Sequence, residues 1–146
     1  MRWIFLLILL TSLSPINCTQ KMNDSAAIQQ LLEKESATWR AGDFQGHSDC
    51  WHIQPYSKIL VSNGKGETFD VPPELMKDPK AQMGDGGTSV NSNYKFSIQG
   101  DNAWVSHDEV SIAKDGTNTY SHEIRILEKV EGQWKLVGQS IHVYQR

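Results

Sequence analysis

Four β-rich runs close the chain, and only short turn sequences separate them. They are Asn93 to Gln99, Ala103 to Ile112, Tyr120 to Val130 and Gln133 to Tyr144. The connections GDN, KDGTN and EGQ are turn signals, too short to carry the crossover that a parallel neighbour requires. This third of the protein is therefore predicted to be an antiparallel meander.

What precedes the meander is mostly helical. In DSAAIQQLLEKESATWRAGD, Ile28, Leu31, Leu32, Glu35 and Trp39 recur at helical spacing, with Asp24 or Ser25 suited to cap the start and Gly42 the end. A short second helix is predicted from Phe44 to Trp51, capped by Asp43 and stopped by Pro55. In SKILVSNGKGE a strand runs into a tight Asn63-Gly64 hairpin turn. A third helix of about two turns is expected after Pro72 and before Pro79. The stretch AQMGDGGTS reads as a loop. Helices first and strands afterwards make an α+β architecture. The 146 residues, 38% hydrophobic and 21% charged, suffice for a single domain, assigned to residues 19–146.

Residues 1–18 are expected to be an export signal: Arg2, then the apolar run Trp3 to Leu10, then Ser, Pro and Asn before Cys18. The run is about half the length of a membrane-spanning helix. Either the chain is cut after Cys18, or Cys18 is itself the lipid-bearing first residue, so a periplasmic or secreted location with at most a lipid contact to the membrane is expected. Cys50 reads as a small buried apolar group. The formal charge of −3, with acids and lysines interspersed, gives no basic stripe for nucleic acid.

The turn Trp39-Arg40-Ala41-Gly42-Asp43 and the closing hairpin from Glu123 to Val137, of the type I-R-I-x-E-K-x-x-G-x-W-K, resemble the nuclear transport factor 2-like superfamily, especially its SnoaL-like members. The resemblance spans roughly Asp24 to Tyr144. It implies N-terminal helices packed in a strongly curved antiparallel sheet, a cone-shaped, cystatin-like fold with an apolar pocket for a small-molecule ligand, and often a homodimer through the outer sheet face. The superfamily holds isomerases, hydrolases, cyclases and non-catalytic domains, so membership alone decides no activity. In the isomerase pattern, Glu35 matches an oxyanion-hole tyrosine and His122 the second oxyanion-hole donor. The proton-moving aspartate would fall near Lys58 or Ile59, where no carboxylate stands.

Two readings of the site follow. In one, the pocket binds an apolar molecule without catalysis. In the other, Glu35 is an acid or base, desolvated on the apolar stripe of its helix, and His122 a polarising donor in a lyase, isomerase or hydratase. His122 shares a strand face with Ile124 and Ile126, and it lines the pocket if that face turns inward. Alternation on the preceding strand sets Val105, His107 and Glu109 against Trp104, Asp108 and Val110, and either set can face in. His52 is an alternative base. Trp39, Trp51, Trp104 and Trp134 are read as core and pocket wall, with Tyr56 beside them as a candidate contact. His47, Asp49 and His52 splay around a helix instead of converging on a metal, and no cofactor motif is present. A dimeric scaffold acting through the sheet surface is the third possibility.

Overall fold

The computed structural model describes residues 16–78, 83, 84 and 86–146, with side chains from Asn23 onward. The export-signal stretch 1–15 lies outside the described residues, as does the side chain of Cys18.

The first helix, α1, spans Ile16–Ala41 and starts earlier than the cap at Asp24 predicted. Asp24 is not a cap. Its carboxylate instead accepts hydrogen bonds from Lys129 Nζ (2.6 Å) and Trp134 Nε1 (3.1 Å), tying the helix to the closing hairpin. The predicted stop holds: Gly42 takes φ +69°, and Asp43 N donates to Thr38 O at 2.9 Å. Asp43 then caps α2 by accepting from Gly46 N at 2.9 Å.

Helix α2 covers only Phe44–Ser48, shorter than expected. Past it the backbone bonds are taken by the sheet: His52 N donates to Leu136 O and Leu136 N to Cys50 O. A helix cannot continue where its N–H and C=O groups are committed to a strand.

Strands β1 (Ile59–Ser62) and β2 (Thr68–Val71) form the predicted hairpin, but with a wider turn. The Asn63 carboxamide oxygen accepts from Lys65 N and Glu67 N, and Gly66, not Gly64, takes the positive φ. The expected third helix is a single 3-10 turn, Pro73–Met76, held by Leu75 N to Pro72 O and Lys77 N to Glu74 O. Strand β3 begins at Thr88, inside the stretch read as loop, because its polar end pairs by backbone alone with Ser111 and Ile112 of β4. Strands β4 (Asn102–Ile112), β5 (Asn118–Val130) and β6 (Gln133–Tyr144) follow the predicted runs closely.

The sheet order is β2-β1-β6-β5-β4-β3. Its pairings are antiparallel except β1 on β6, which is parallel, so the sheet is mixed rather than wholly antiparallel. The chain between these two parallel partners runs through β2, the 3-10 turn and β3 to β5, far more than the dozen or so residues that a parallel pairing demands. Two bulges interrupt the ladders, one between Ser92 and Lys95, where Asn93 has φ +57°, and one that leaves Val137 as the extra residue on β6. Such bulges bend a strand and increase its local twist.

One face of this sheet packs on the helices. Ile28 and Leu32 of α1 meet Val105, Leu127, Leu136, Trp51 and Ile59 in the core. Full burial of each such aliphatic side chain stabilises by roughly 1.5–3 kcal/mol.

Candidate functional site

The inward face of every element changes character along its length, and the changes coincide. On α1 the buried positions run from Ile28 and Leu32 to Glu35 and Ser36, followed by half-buried Trp39 and Arg40. On β5 they run from Leu127 to Arg125, Glu123 and Ser121. Register aligns these with Ala103, Val105, His107 and Glu109 of β4 and with Leu136, Gln139, Ile141 and Val143 of β6. One end of the interior is thus a packed apolar core. The other is a cavity of about 500 Å³ with a charged floor.

The walls are Ile59, Val61, Val71, Met76, Ile141 and Val143, with Trp39 on the helix side. The floor is built around Arg125, whose side chain is 4% exposed. Its Nη2 donates to Glu123 Oε2, and its Nη1 to Gln139 Oε1 and, at 3.4 Å, to Glu35 Oε2. The two oxygens of Glu109 accept from Ser36 Oγ (2.7 Å) and Arg40 Nη2, and the second oxygen of Glu123 accepts from Ser121 Oγ at 2.8 Å. Buried charges persist only when paired and hydrogen-bonded in this way.

The electrostatics follow from the pairing. Burial opposes the charge on Arg125, and the carboxylates of Glu123, Glu35 and Glu109 more than offset it, so its proton is held more firmly than on an exposed arginine. Burial alone pushes the Glu123 carboxyl up, but Arg125, His107 and the bond from Ser121 bring it below the usual carboxylate range. His47 and His107 are both depressed, chiefly by burial, and are neutral at pH 7. His47 Nδ1 lies 3.6 Å from Glu35 Oε1 with its ring against Trp39, and His107 Nε2 lies 3.5 Å from Glu123 Oε2 with its ring stacked on Tyr94.

The predicted site residues separate into two groups. Glu35 and Trp39 line the cavity. His107 is buried beneath its floor, and Trp51 in the core beside His47. The rest lie elsewhere. His122 points outward, bonding Asp108 Oδ1 at 2.7 Å and stacking on Tyr144. Ile124 (42% exposed), Ile126 (48%) and Trp104 (49%) share that outer face, so Trp104 is neither core nor pocket wall. His52 pairs with Gln54, and exposed Tyr56 donates to Glu128 Oε1, both away from the cavity. Glu35 and His122 thus occupy opposite faces of the fold and cannot meet on one ligand atom.

The reading of β5 inverted its faces because Ile124 and Ile126 are more apolar than Glu123 and Arg125. Glu123 and Arg125 are thereby hidden as site residues, and Ser36, Arg40, His47 and Gln139 carry no local signal of their own for it. The signal available was the Glu-x-Arg spacing of Glu123 and Arg125, which places opposite charges on one strand face. The β6 partners were hidden by the bulge at Val137, which shifts the inward set from Trp134 and Leu136 to Gln139, Ile141 and Val143.

No family model and no curated protein matches this sequence. Solved structures do match. An NTF2-like protein of unknown function from Shewanella baltica has a TM-score of 0.64 at 17% identity, covering 86% of this chain and 97% of that one. A protein of unknown function with a cystatin-like fold from Nostoc punctiforme gives 0.64 at 17%, covering 83% and 91%. A further NTF2-like protein of unknown function, from Shewanella oneidensis, gives 0.65 at 14%, covering 82% and 98%. At such identities the likeness carries the fold alone: the chain has the NTF2-like, cystatin-like cone fold.

Proposed function

We propose that this cone-fold chain binds a small molecule with a largely apolar body in the cavity between α1 and the sheet, without transforming it. The observation that carries the reading is the 500 Å³ cavity itself, walled by aliphatic side chains and floored by charged groups held in a bonded network. Its size and its apolar wall are those of small-molecule pockets, and its polar groups are gathered on the floor. The placement of Glu35 and His122 on opposite faces removes the acid–base pair on which the enzymatic reading depends.

The test is titration of the purified protein with adamantanemethanol, a neutral apolar probe, followed by backbone amide shifts. Shifts centred on Val61, Ile141 and Val143 are expected, and Val143→Trp, which fills the volume from a half-buried wall position, should abolish them. Shifts confined to the outer face, or none, overturn the reading.

A second proposal concerns assembly. Trp104 of β4 stands directly opposite Ile126 of β5, and Ile124 lies beside them, all on the outer face. A cluster of exposed large apolar groups on a sheet supports a homodimer through this surface. Export from the cytoplasm is proposed on Arg2 and the apolar run after it.

A further inference from the structure

The floor of the cavity is unevenly satisfied. Glu109 and Glu123 each have both oxygens engaged in hydrogen bonds. Glu35 does not. Its two nearest cationic or polar neighbours stand off, Arg125 Nη1 at 3.4 Å from one oxygen and His47 Nδ1 at 3.6 Å from the other. His47 Nδ1 at that distance makes no hydrogen bond to the carboxylate. Glu35 is nonetheless more than nine-tenths buried and lines the cavity. A carboxylate with four acceptor sites and one long bond retains most of its capacity to accept.

The count of acidic and basic side chains points the same way. Among the described residues lining the cavity, three carboxyl groups, Glu35, Glu109 and Glu123, stand against two guanidiniums, Arg40 and Arg125, so acidic side chains outnumber basic ones by one. The terminal nitrogens of both arginines are committed: those of Arg125 to Glu123, Gln139 and Glu35, those of Arg40 to Ser36 and Glu109. The Nε of each arginine has no partner but is buried, so an anion entering the cavity meets no pair of terminal guanidinium nitrogens free of other partners. A cation meets the carboxylate with the most unused acceptor capacity, in surroundings of low polarity where charge-assisted hydrogen bonds are strongest.

Resting on the ligand-binding reading above, we infer that the cavity selects a molecule carrying a protonated amine on an apolar body, with the ammonium bonded to Glu35 and the body against Val61, Ile141 and Val143. The wall supplies affinity without regard to the head group, and Glu35 supplies the selection.

Calorimetric titration at pH 7 with three probes of one shape tests this: adamantanemethylamine, adamantanemethanol and adamantanecarboxylate. The amine should bind at least about tenfold tighter than the alcohol and the carboxylate weakest, as expected where a charge-assisted hydrogen bond adds to a common apolar contact. Glu35→Gln, which keeps the side chain's size, should reduce the preference for amine over alcohol to about twofold or less. If alcohol or carboxylate binds as well as the amine, the cavity stands and the selectivity inference falls. If none of the three binds, both fall. The wild-type series decides the matter by itself should Glu35→Gln fail to fold.

Discussion

Arg125 joins β5 to its neighbours through charge as well as backbone. Its side chain is buried with Glu123 two residues away on the same face, Gln139 directly across on β6 and Glu35 reaching down from α1. Removing one partner of a buried ion pair leaves the other uncompensated, at a cost of about 3–5 kcal/mol. Arg125→Met should therefore lower the free energy of unfolding in urea by roughly that amount, and the double variant with Glu123→Gln should lose less than the two single losses together. A loss for Arg125→Met under about 1 kcal/mol would show that the floor does not depend on its guanidinium. Cys50 shows the opposite treatment of a polar atom: burial pushes its thiol up to about 11, so it packs as a neutral group, its Sγ donating to Gly46 O.

Among the elements, β4 and β5 are two-sided. Their inward faces carry Val105, His107 and Glu109 and Leu127, Arg125 and Glu123, while their outward faces carry Trp104 and Ile126. Large apolar groups on an outer face beside charges buried on the inner one depart from the pattern of a half-solvated strand, and the proposed homodimer accounts for Trp104 and Ile126. Trp104→Lys should convert a dimer to a monomer in sedimentation equilibrium while leaving the ligand titration unchanged, since Trp104 does not line the cavity. A wild-type chain that sediments as a monomer at every concentration would overturn the dimer. Strand β6 acts differently, because the extra residue Val137 lets one strand present Leu136 to the core and Gln139 to the cavity floor. Gly138, just beyond it, leaves space for β1: a Cβ there would stand 3.1 Å from Lys58 O, which accepts from Gln139 N.

At the scale of the whole molecule, the interior is a packed apolar end joined to a charged cavity end, and the second makes stability depend on pH. His47 and His107 bind protons less readily folded than unfolded, burial being the main cause. Below the ordinary histidine value of about 6.5 the unfolded chain takes up protons that the folded chain refuses, so stability is full above that pH and falls as pH drops towards the folded values. Glu123, also depressed, extends the loss to more acid conditions, as pH falls from the ordinary carboxylate range towards its folded value. The thermal midpoint should fall as pH is lowered from about 7.5 to 5, and the variant carrying His47→Gln and His107→Gln should show a shallower fall. An unchanged midpoint across that interval would mean that neither ring is kept neutral by the fold.

The amino-acid sequence by itself determined the order of helices and strands, the stop at Gly42, the run boundaries of β4 to β6 and the inward stripe of α1 that contains Glu35. These are local properties, set by turn chemistry, capping and a period read within one segment. Only the tertiary structure decided which face of β5 turns inward, where β6 changes face, that β1 pairs parallel with β6, and that Glu35, Arg125 and Glu123 meet at one floor. Each depends on partners far apart in the chain. An apolar face and a charged face on one strand are equally consistent with alternation, and burying the charged one is tolerable only once α1, β4 and β6 bring the opposite charges and acceptors that compensate it.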